Sequence, residues 1–361
     1  MTHSDISHIR IQNQQLSQAH FSTAKELVGY MGAMQAQDFP MARWAVGVRL
    51  PEMNDEIIAK AYNDAEIIRT HVMRPTWHFV SPNDIYWMLE LTAPRIKPIL
   101  KSSIMRLELT TNTINKCYQI LENELSNNRS LTRENIKQLF EDENIRTDDN
   151  RLSHIMMNAE LDSLVCSGPL KNNKLTYALL NERVPDKLLL SRDESLAELA
   201  QRYFKSHGPA TIRDFVWWSG LSVTDAKKSL EMNKGNLICK KIENEAYWFS
   251  DFNVQQINQP SVHLLPAFDE IIISYRDRNA IINESHNKKA ISENGIFRPV
   301  IVVDGQVCGI WRRTTQKNTA KIEVSLFDQH DDETLTSIEN KVSNYVHFIN
   351  KSVQLVFKNE L

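Results

Sequence analysis

Two stretches of the sequence repeat one order of predicted elements, three helices followed by two strands, and this order restricts the fold more than any other feature. In the first stretch, helices are predicted over 114–125, 132–140 and 150–164, and strands over 164–167 and 175–179. In the second, helices are predicted over 195–205, 211–218 and 222–232, and strands over 237–241 and 246–249. Three helices and a two-stranded wing form the winged variant of the helix-turn-helix. The sequence therefore predicts tandem winged-helix units.

The flanking segments extend this plan at both ends. Before the repeats we predict helices over 20–34 (capped by Ser22) and 54–69, a hairpin over 70–80 around Pro75, and a helix from Ser81-Pro82 to about residue 100. After residue 258 we predict strands over 262–266, 271–275, 299–303, 307–312, 321–326 and 353–357, and a helix over 333–350. The expected fold is α+β. Three winged-helix units, at 1–105, 106–188 and 189–258, form a curved scaffold with a C-terminal β-rich domain at 259–361.

Composition narrows the setting in which the protein works. Of its 361 residues, 42% are hydrophobic, which is ample for buried cores, and no apolar run is long enough to span a bilayer. The first residues lack the basic and apolar regions of a signal peptide, so a cytoplasmic protein is expected. The four cysteines are scattered without a Cys-x-x-Cys pair, which predicts neither a metal site nor a disulfide framework. The sequence has no glycine-rich phosphate loop, so no nucleotide cofactor is expected.

The net charge of −3 argues against a protein that coats nucleic acid indiscriminately, but the charges are unevenly distributed. Residues 69–106 carry six basic side chains against two acidic ones, and residues 270–321 carry nine against five. The tail, residues 322–361, carries three basic side chains against seven acidic ones. The two basic stretches predict a surface for nucleic acid. The alternative is that these side chains lie on ordinary solvated faces.

A pair of carboxamides stands near the start of the chain, where Gln35 and Gln37 flank Ala36. Residues 27–34 are predicted as a helix, and Pro40 biases Phe39 away from helical angles. On a continuing helix the two amides would point roughly 200° apart. If the helix ends near Gln35, the backbone can unwind and direct both side chains into one space. Each amide is both donor and acceptor, which suits holding a water or a polar substrate group; taken alone, however, such a pair is ordinary on a protein surface.

Four blocks of sequence, spread over nearly the whole chain, make a functional role for Gln35 and Gln37 more plausible than the pair alone does. They are 33–45, 70–80, 264–270 with 275–278, and 295–299 with 309–313. Together they resemble the winged-helix DNA-binding family that includes the azinomycin-resistance, AlkZ-like DNA glycosylases. In the glycosylase branch, two glutamines flanking an aliphatic residue are the catalytic pair, which the resemblance assigns to Gln35 and Gln37. A related branch has Asp at the second position, and this sequence does not.

Two glutamines restrict the chemistry that the resemblance implies. Cleavage of an N-glycosidic bond passes through a sugar with oxocarbenium character, which enzymes ordinarily stabilise with a carboxylate. An amide is a poor proton acceptor, so the leaving group must be easy to expel. A purine alkylated at N7 is already cationic and departs as a neutral base. We expect Gln37 to hold the attacking water and Gln35 to fix it and contact the sugar; the alternative is that Asp38 is the base.

The basic and polar residues of the blocks are candidates for contacts with DNA. Strand alternation places Arg74, Thr76 and His78 on one face and Trp77 on the other. A buried structural histidine is the alternative for His78, and Trp217 and Trp218 are expected to pack in cores. The full set of candidates is Arg43, Arg74, Thr76, His78, Arg276, Arg278, Arg298, Arg312 and Arg313, in which Arg276 and Arg278 are expected to share one strand face and Arg312 and Arg313 to end a strand beside a polar loop.

These observations predict a monomeric DNA glycosylase that acts on alkylated or crosslinked purines in double-stranded DNA, without a cofactor, a metal or a membrane. It should be monofunctional, because no lysine stands beside the glutamines to form a Schiff base. The alternative is a non-catalytic winged-helix DNA-binding protein, such as a transcriptional regulator. A regulator would usually dimerise on paired half-sites, whereas a glycosylase would bind many sequences and leave abasic sites.

Overall fold

The computed structural model of the protein describes residues 1–242, 244–250 and 260–358. The helices in this part of the chain are α1 His3–Asn13, α2 Ala24–Met31, α3 Phe39–Gly47, α4 Asp55–Asn63, α5 Ile85–Arg106, α6 Thr111–Leu125, α7 Arg133–Asp142, α8 Arg151–Leu161, α9 Leu180–Arg183, α10 Arg192–Ser206, α11 Ile212–Ser219, α12 Val223–Asn233, α13 Glu270–Ile273, α14 Asn287–Ala290 and α15 Asp332–Ile349. The strands are β1 Ala33–Gln35, β2 Ile68–His71, β3 Trp77–Val80, β4 Leu131–Thr132, β5 Val165–Lys171, β6 Lys174–Leu179, β7 Ile238–Ile242, β8 Glu245–Phe249, β9 Val262–Leu265, β10 Val300–Val303, β11 Gln306–Thr315, β12 Thr319–Leu326 and β13 Ser352–Lys358. Among these helices, none is both long and apolar enough to cross a membrane.

The first sheet contains three short antiparallel strands in the order β1-β3-β2. The hairpin predicted around Pro75 is confirmed as β2 and β3, and β1 pairs with the other side of β3. In this register Gln35 lies opposite His78, and His78 lies opposite Thr70. The sheet therefore aligns three polar side chains across its width.

The predicted helix over 20–34 is wrong at both ends. Thr23, and not Ser22, caps α2, because its side chain and that of Glu26 form a reciprocal capping box. The helix ends at Met31 because Gly32 adopts a φ of +78°, which continues neither a helix nor a strand. Residues 33–35 then form β1, so the first glutamine lies on a strand.

Other N-terminal expectations also need correction. Phe39 begins α3 despite the following proline, since Pro40 fits the first turn of a helix and the Asp38 side chain accepts the N–H of Met41. The helix predicted over 54–69 ends at Asn63, before β2, and α5 begins at Ile85 after a turn. Helix α1 was not predicted.

The two middle repeats have the predicted order of elements. Helices α6 to α8 are followed by the hairpin β5-β6, which β4, from between α6 and α7, joins as a third strand. Helices α10 to α12 are followed by the hairpin β7-β8. Thr132, Thr211 and Ser222 cap their helices as expected for N-cap residues. Residue 243 of the turn predicted at 243–245 lies outside the described part of the chain. The predicted domain boundary at 258/259 lies outside it as well.

The C-terminal sheet has the order β13-β12-β11-β10-β9, and only its β12–β13 pair is parallel among the described strands. The strand predicted over 271–275 is wrong, because this segment is the short helix α13 followed by a turn. The Asp269 side chain caps α13 by accepting the N–H of Ile271, and the three isoleucines of α13 are buried. Capping and burial override the strand preference of branched residues here.

The N-terminal unit shares one hydrophobic core with the C-terminal sheet and another with helices α10 to α12. One core joins α2 to α4 with the C-terminal sheet, where Trp44 packs edge-on against Tyr345 and donates to the carbonyl of Leu264. A second core joins β3 and α5 with α10 to α12 around Trp87 and Trp218. Strand β1 therefore lies where the N-terminal unit meets both the second of the two middle repeats and the segment that leads from β9 into α13.

Candidate active site

The two glutamines of the Gln-x-Gln pair occupy different environments at the end of β1. Gln35 is 6% exposed, whereas Gln37 is exposed to solvent. The strand ladder continues one residue beyond Gln35, because the N–H of Ala36 donates to the carbonyl of Trp77 at 2.7 Å. The backbone that carries Gln35 is thus extended and not an unwinding helix, and the chain bends at residues 37–38 before α3 begins.

Gln35, His78 and Thr70 form a row of adjacent side chains across the first sheet. Directly opposed residues of an antiparallel pair have Cβ atoms about 5 Å apart. The Oε1 atom of Gln35, the Nε2 atom of His78 and the Oγ1 atom of Thr70 are each buried without a hydrogen-bond partner. Buried polar atoms are almost always paired, so three unpaired ones in one row make this part of the sheet a candidate functional site. Thr76 contributes a further buried, unpaired hydroxyl beside them.

The His78 ring is held in one tautomer and kept neutral. Its Nδ1 atom lies 3.0 Å from the carbonyl oxygen of Thr76, which can only accept, so Nδ1 carries the hydrogen and Nε2 carries a lone pair. Complete burial, and secondarily the charge of Arg74, lower the pKa of His78 to about 3, against an opposing effect of Glu270. At neutral pH this side chain is therefore a buried acceptor.

Glu270 binds the backbone of Gln35, at one end of this row. Its Oε1 atom accepts the backbone N–H of Gln35 at 2.5 Å, and its Oε2 atom accepts the hydroxyl of Ser274 and the indole N–H of Trp218. Burial alone would raise the pKa of this carboxyl, but hydrogen bonds from His207, Ser274 and the Gln35 backbone lower it to about 2. A full negative charge therefore lies at the free edge of β1, next to the backbone of Gln35.

Three arginines surround the indole of Trp217. The guanidinium carbons of Arg74, Arg276 and Arg278 lie 6.0, 5.5 and 5.4 Å from the ring centroid. Burial lowers the pKa of Arg278 to about 10, with the charges of Arg276 and Arg74 acting in the same direction, so that it stays cationic at neutral pH. Nitrogen atoms of Arg74 and Arg278 are buried without a partner. We call Arg74, Trp217, Arg276 and Arg278 the arginine cluster.

The segment after α13 is irregular, so Arg276 and Arg278 do not share a strand face as predicted. Their common neighbour Trp217 brings them together instead. The expectation for the Trp217-Trp218 pair is confirmed for Trp218, which is completely buried. Trp217 is half-buried and donates its indole N–H to the carbonyl of Ile273.

Arg313 and Arg43 lie near the residues that follow Gln37 in the chain, Asp38 and Phe39. Arg313 donates to the hydroxyl of Tyr345 at 2.8 Å and lies 3.9 Å from the carboxylate of Asp38. Arg43 forms an ion pair with Asp55 at 3.2 Å. Asp38 thus caps α3 and lies beside a cation.

The remaining candidates lie farther from this group. Arg298 is half-buried and donates to the carbonyl of Lys289. Arg312 is exposed on β11, opposite Glu323. Among the described residues, no cluster of His, Cys, Asp or Glu could hold a metal ion.

Sequence reasoning did not identify Glu270 or Thr70 as parts of this site. Glu270 stands in one of the four blocks, but a glutamate in a sequence gives no sign that it will meet a backbone N–H 235 residues away. Thr70 could not be paired with His78 from the sequence, because the register of a hairpin around Pro75 depends on the loop length, and the observed pairs are centred on residue 74.

Comparisons with known proteins place this geometry in a family. A sequence model of AlkZ-like DNA glycosylases matches residues 28–348. The interstrand DNA cross-link repair glycosylase of Streptomyces sahachiroi is 22% identical over 327 residues, which cover 85% of this chain and 87% of that protein. The solved structure of the S. sahachiroi DNA glycosylase AlkZ has a TM-score of 0.81 at 21% identity, covering 99% of this chain and 100% of that one. This likeness confirms the mixed α+β fold with a C-terminal sheet.

Proposed function

The chain belongs to the AlkZ-like DNA glycosylase family, and we propose that it hydrolyses the N-glycosidic bond of purines alkylated or crosslinked through N7 in duplex DNA. The observation that carries this proposal is the position of Gln35 at the end of β1, where its buried Oε1 has no partner and it lies opposite His78, on which Arg74 of the arginine cluster acts electrostatically. The S. sahachiroi relative is named for interstrand crosslinks, and we extend that class of substrate to this chain.

The proposed reaction takes its driving force from the leaving group. Alkylation at N7 gives the purine a positive charge, and cleavage returns the electron pair of the glycosidic bond to the ring. Gln37 holds the attacking water, and Gln35 fixes that water and contacts the sugar. The buried carboxylate of Glu270 favours the positive charge that develops on the sugar, because electrostatic effects are stronger in a site that excludes water.

The arginine cluster is proposed to bind the DNA backbone near the damaged nucleotide. Arginine forms bidentate hydrogen bonds with phosphate oxygens, and the unpaired nitrogen atoms of Arg74 and Arg278 are available for them. Thr76, Arg43 and Arg313 extend this surface past the glutamines, and Arg298 and Arg312 extend it along the C-terminal domain. His78 is completely buried, so we assign it to the row that it forms with Gln35 and Thr70 and not to a contact with a DNA groove.

The scaffold is proposed to be three tandem winged-helix units followed by the C-terminal domain, with the boundaries expected from the sequence. The middle repeats each supply three helices and a wing, and the first unit supplies the three-stranded sheet. We propose that the protein acts as a monofunctional monomer on double-stranded DNA without a cofactor.

Incubation with N7-methylated duplex DNA tests this function. Release of free N7-methylguanine, detected by mass, together with alkali-sensitive sites in the strand, is the expected result. Binding of one defined sequence without release of a base would instead support a regulator. A duplex crosslinked through N7 tests the second class of substrate in the same assay.

A further inference from the structure

Two acceptors face one another at the centre of the first sheet. The carbonyl oxygen of the Gln35 amide and the Nε2 lone pair of His78 are both buried, both unpaired, and carried by directly opposed residues. Two acceptors cannot bond to each other, but both can accept from the two O–H groups of a single water.

We propose that His78 is a third catalytic residue, whose Nε2 atom accepts a hydrogen bond from the attacking water and takes the proton that this water loses. The inference rests on the proposed glycosylase function and adds a residue to it. It provides the proton acceptor that a pair of neutral amides lacks, because an imidazole nitrogen is a far better base than an amide oxygen.

The surroundings of His78 fit this role on each side. The carbonyl of Thr76 fixes the tautomer through Nδ1, in the way that an orienting group fixes a catalytic histidine. Thr70, on the other side of the ring, carries an unpaired hydroxyl that completes the polar row. The charged or titratable groups that act on the ring are Arg74, Glu270 and His71. Arg74 opposes a positive charge on the ring and Glu270 favours it, so that a proton can be accepted and then passed on.

The step balances without a further reactant. A bond forms between the water oxygen and C1′ of the sugar, and the bond from C1′ to N9 of the purine breaks. The electron pair of the broken bond goes to the purine, which loses its positive charge and leaves neutral. One water proton moves to Nε2 of His78 and then to solvent, so that the neutral ring is restored.

Two substitutions separate this role from a structural one. His78→Asn keeps a donor where Nδ1 bonds to Thr76 but removes Nε2, and His78→Gln places an amide where Nε2 was. We expect His78→Asn to slow single-turnover release of N7-methylguanine about 100-fold or more, with unchanged affinity for the same DNA. His78→Gln should slow release less, because its amide can still accept from water. His263→Asn is the matched control, since His263 is also buried, has a pKa lowered to about 3, and lies on β9 outside the site.

The outcomes distinguish this inference from the proposed function. If the wild type releases the base, Gln35→Ala does not, and His78→Asn does so at the wild-type rate, the role of His78 is overturned and the function stands. If the wild type releases no alkylated base at all, the proposed function itself fails.

Discussion

The backbone N–H of Gln35 lies 2.5 Å from Oε1 of Glu270, so a carboxylate from the α13 helix holds the strand that presents the Gln-x-Gln pair. The two residues are 235 positions apart, and the contact links the N-terminal unit to the segment after β9. Glu270 therefore both fixes the position of Gln35 and places a negative charge next to its backbone.

Replacing Glu270 with glutamine should slow release of the damaged base while keeping the shape of the site. The amide oxygen can still accept from the Gln35 backbone, but the charge that favours a cationic sugar is gone. We expect a decrease of about 10-fold or more in the single-turnover rate constant. A wild-type rate in a folded Glu270→Gln protein would show that the carboxylate acts through packing alone.

The same carboxylate should make stability depend on acid. Its pKa in the folded state is about 2, below the ordinary 4.5, so the ionised form stabilises the fold. This stabilisation, on the order of 3 kcal/mol, is present above pH 4.5 and is lost as the pH falls towards 2. Denaturant unfolding of the wild type and of Glu270→Gln should show a smaller loss over this range for the variant.

Burial of His263 should add a second loss of stability in acid, which begins at a higher pH than the loss caused by Glu270. The pKa of His263 is lowered to about 3 by burial and by the charges of Lys341 and Arg49, against 6.5 for a free side chain. Between pH 6.5 and 3 the unfolded chain binds the extra proton, so the free energy of unfolding falls by about 1.4 kcal/mol per pH unit for this group. His263→Asn should remove that slope. If wild type and variant lose stability in parallel, burial of the neutral ring is not its cause.

Removing single cations of the arginine cluster should weaken binding to DNA more than it weakens the fold. Arg276 is exposed, so Arg276→Ala should leave the thermal midpoint nearly unchanged. If it contacts one phosphate, the slope of log affinity against log salt should fall by about 0.9.

A matched control for this measurement lies at the start of the helix that carries Trp217. Arg213 is exposed and forms an ion pair with Glu245 at 3.1 Å. Arg213→Ala should keep the wild-type affinity and slope. Equal losses in the two variants would argue against a specific role for the arginine cluster.

Gly32 should be intolerant of a side chain because it positions β1. Its φ of +78° disfavours any residue with a Cβ, and a Cβ there would meet the Trp218 ring at 3.4 Å. Gly32→Ala should lower the free energy of unfolding by about 1–2 kcal/mol, measured by denaturant titration. Gly235→Ala is the control, since a Cβ at that position meets no other atom within 4 Å.

Local patterns in the sequence identified much of the site. The hairpin around Pro75 and the strand character of residue 78 followed from composition and alternation, and the choice of Gln35 as a candidate followed from the family resemblance. The strand that carries Gln35 was missed, because a helical pattern continued past Gly32, whose positive φ cannot be read from the sequence. The segment after Asp269 was read as a strand, since three adjacent isoleucines favour strands until burial on all sides selects a short helix. Long-range contacts such as that between Gln35 and Glu270 leave no local signature.

Substitutions of Gln35 and Gln37 should affect catalysis while changing the stability of the fold little. The Oε1 atom of Gln35 has no hydrogen-bond partner, so Gln35→Ala removes no bond made by that atom and should cost less than about 1.5 kcal/mol of stability. Gln37 is exposed, and Gln37→Ala should cost less still. Gln138→Ala, which changes an exposed amide on α7, serves as the control.

Single-turnover release of N7-methylguanine from alkylated duplex DNA, by the wild type and these three variants, tests the central claim most directly. The account predicts that Gln35→Ala and Gln37→Ala each slow release at least about 100-fold at unchanged DNA affinity, and that Gln138→Ala matches the wild type. Release by Gln35→Ala and Gln37→Ala at the wild-type rate would contradict it.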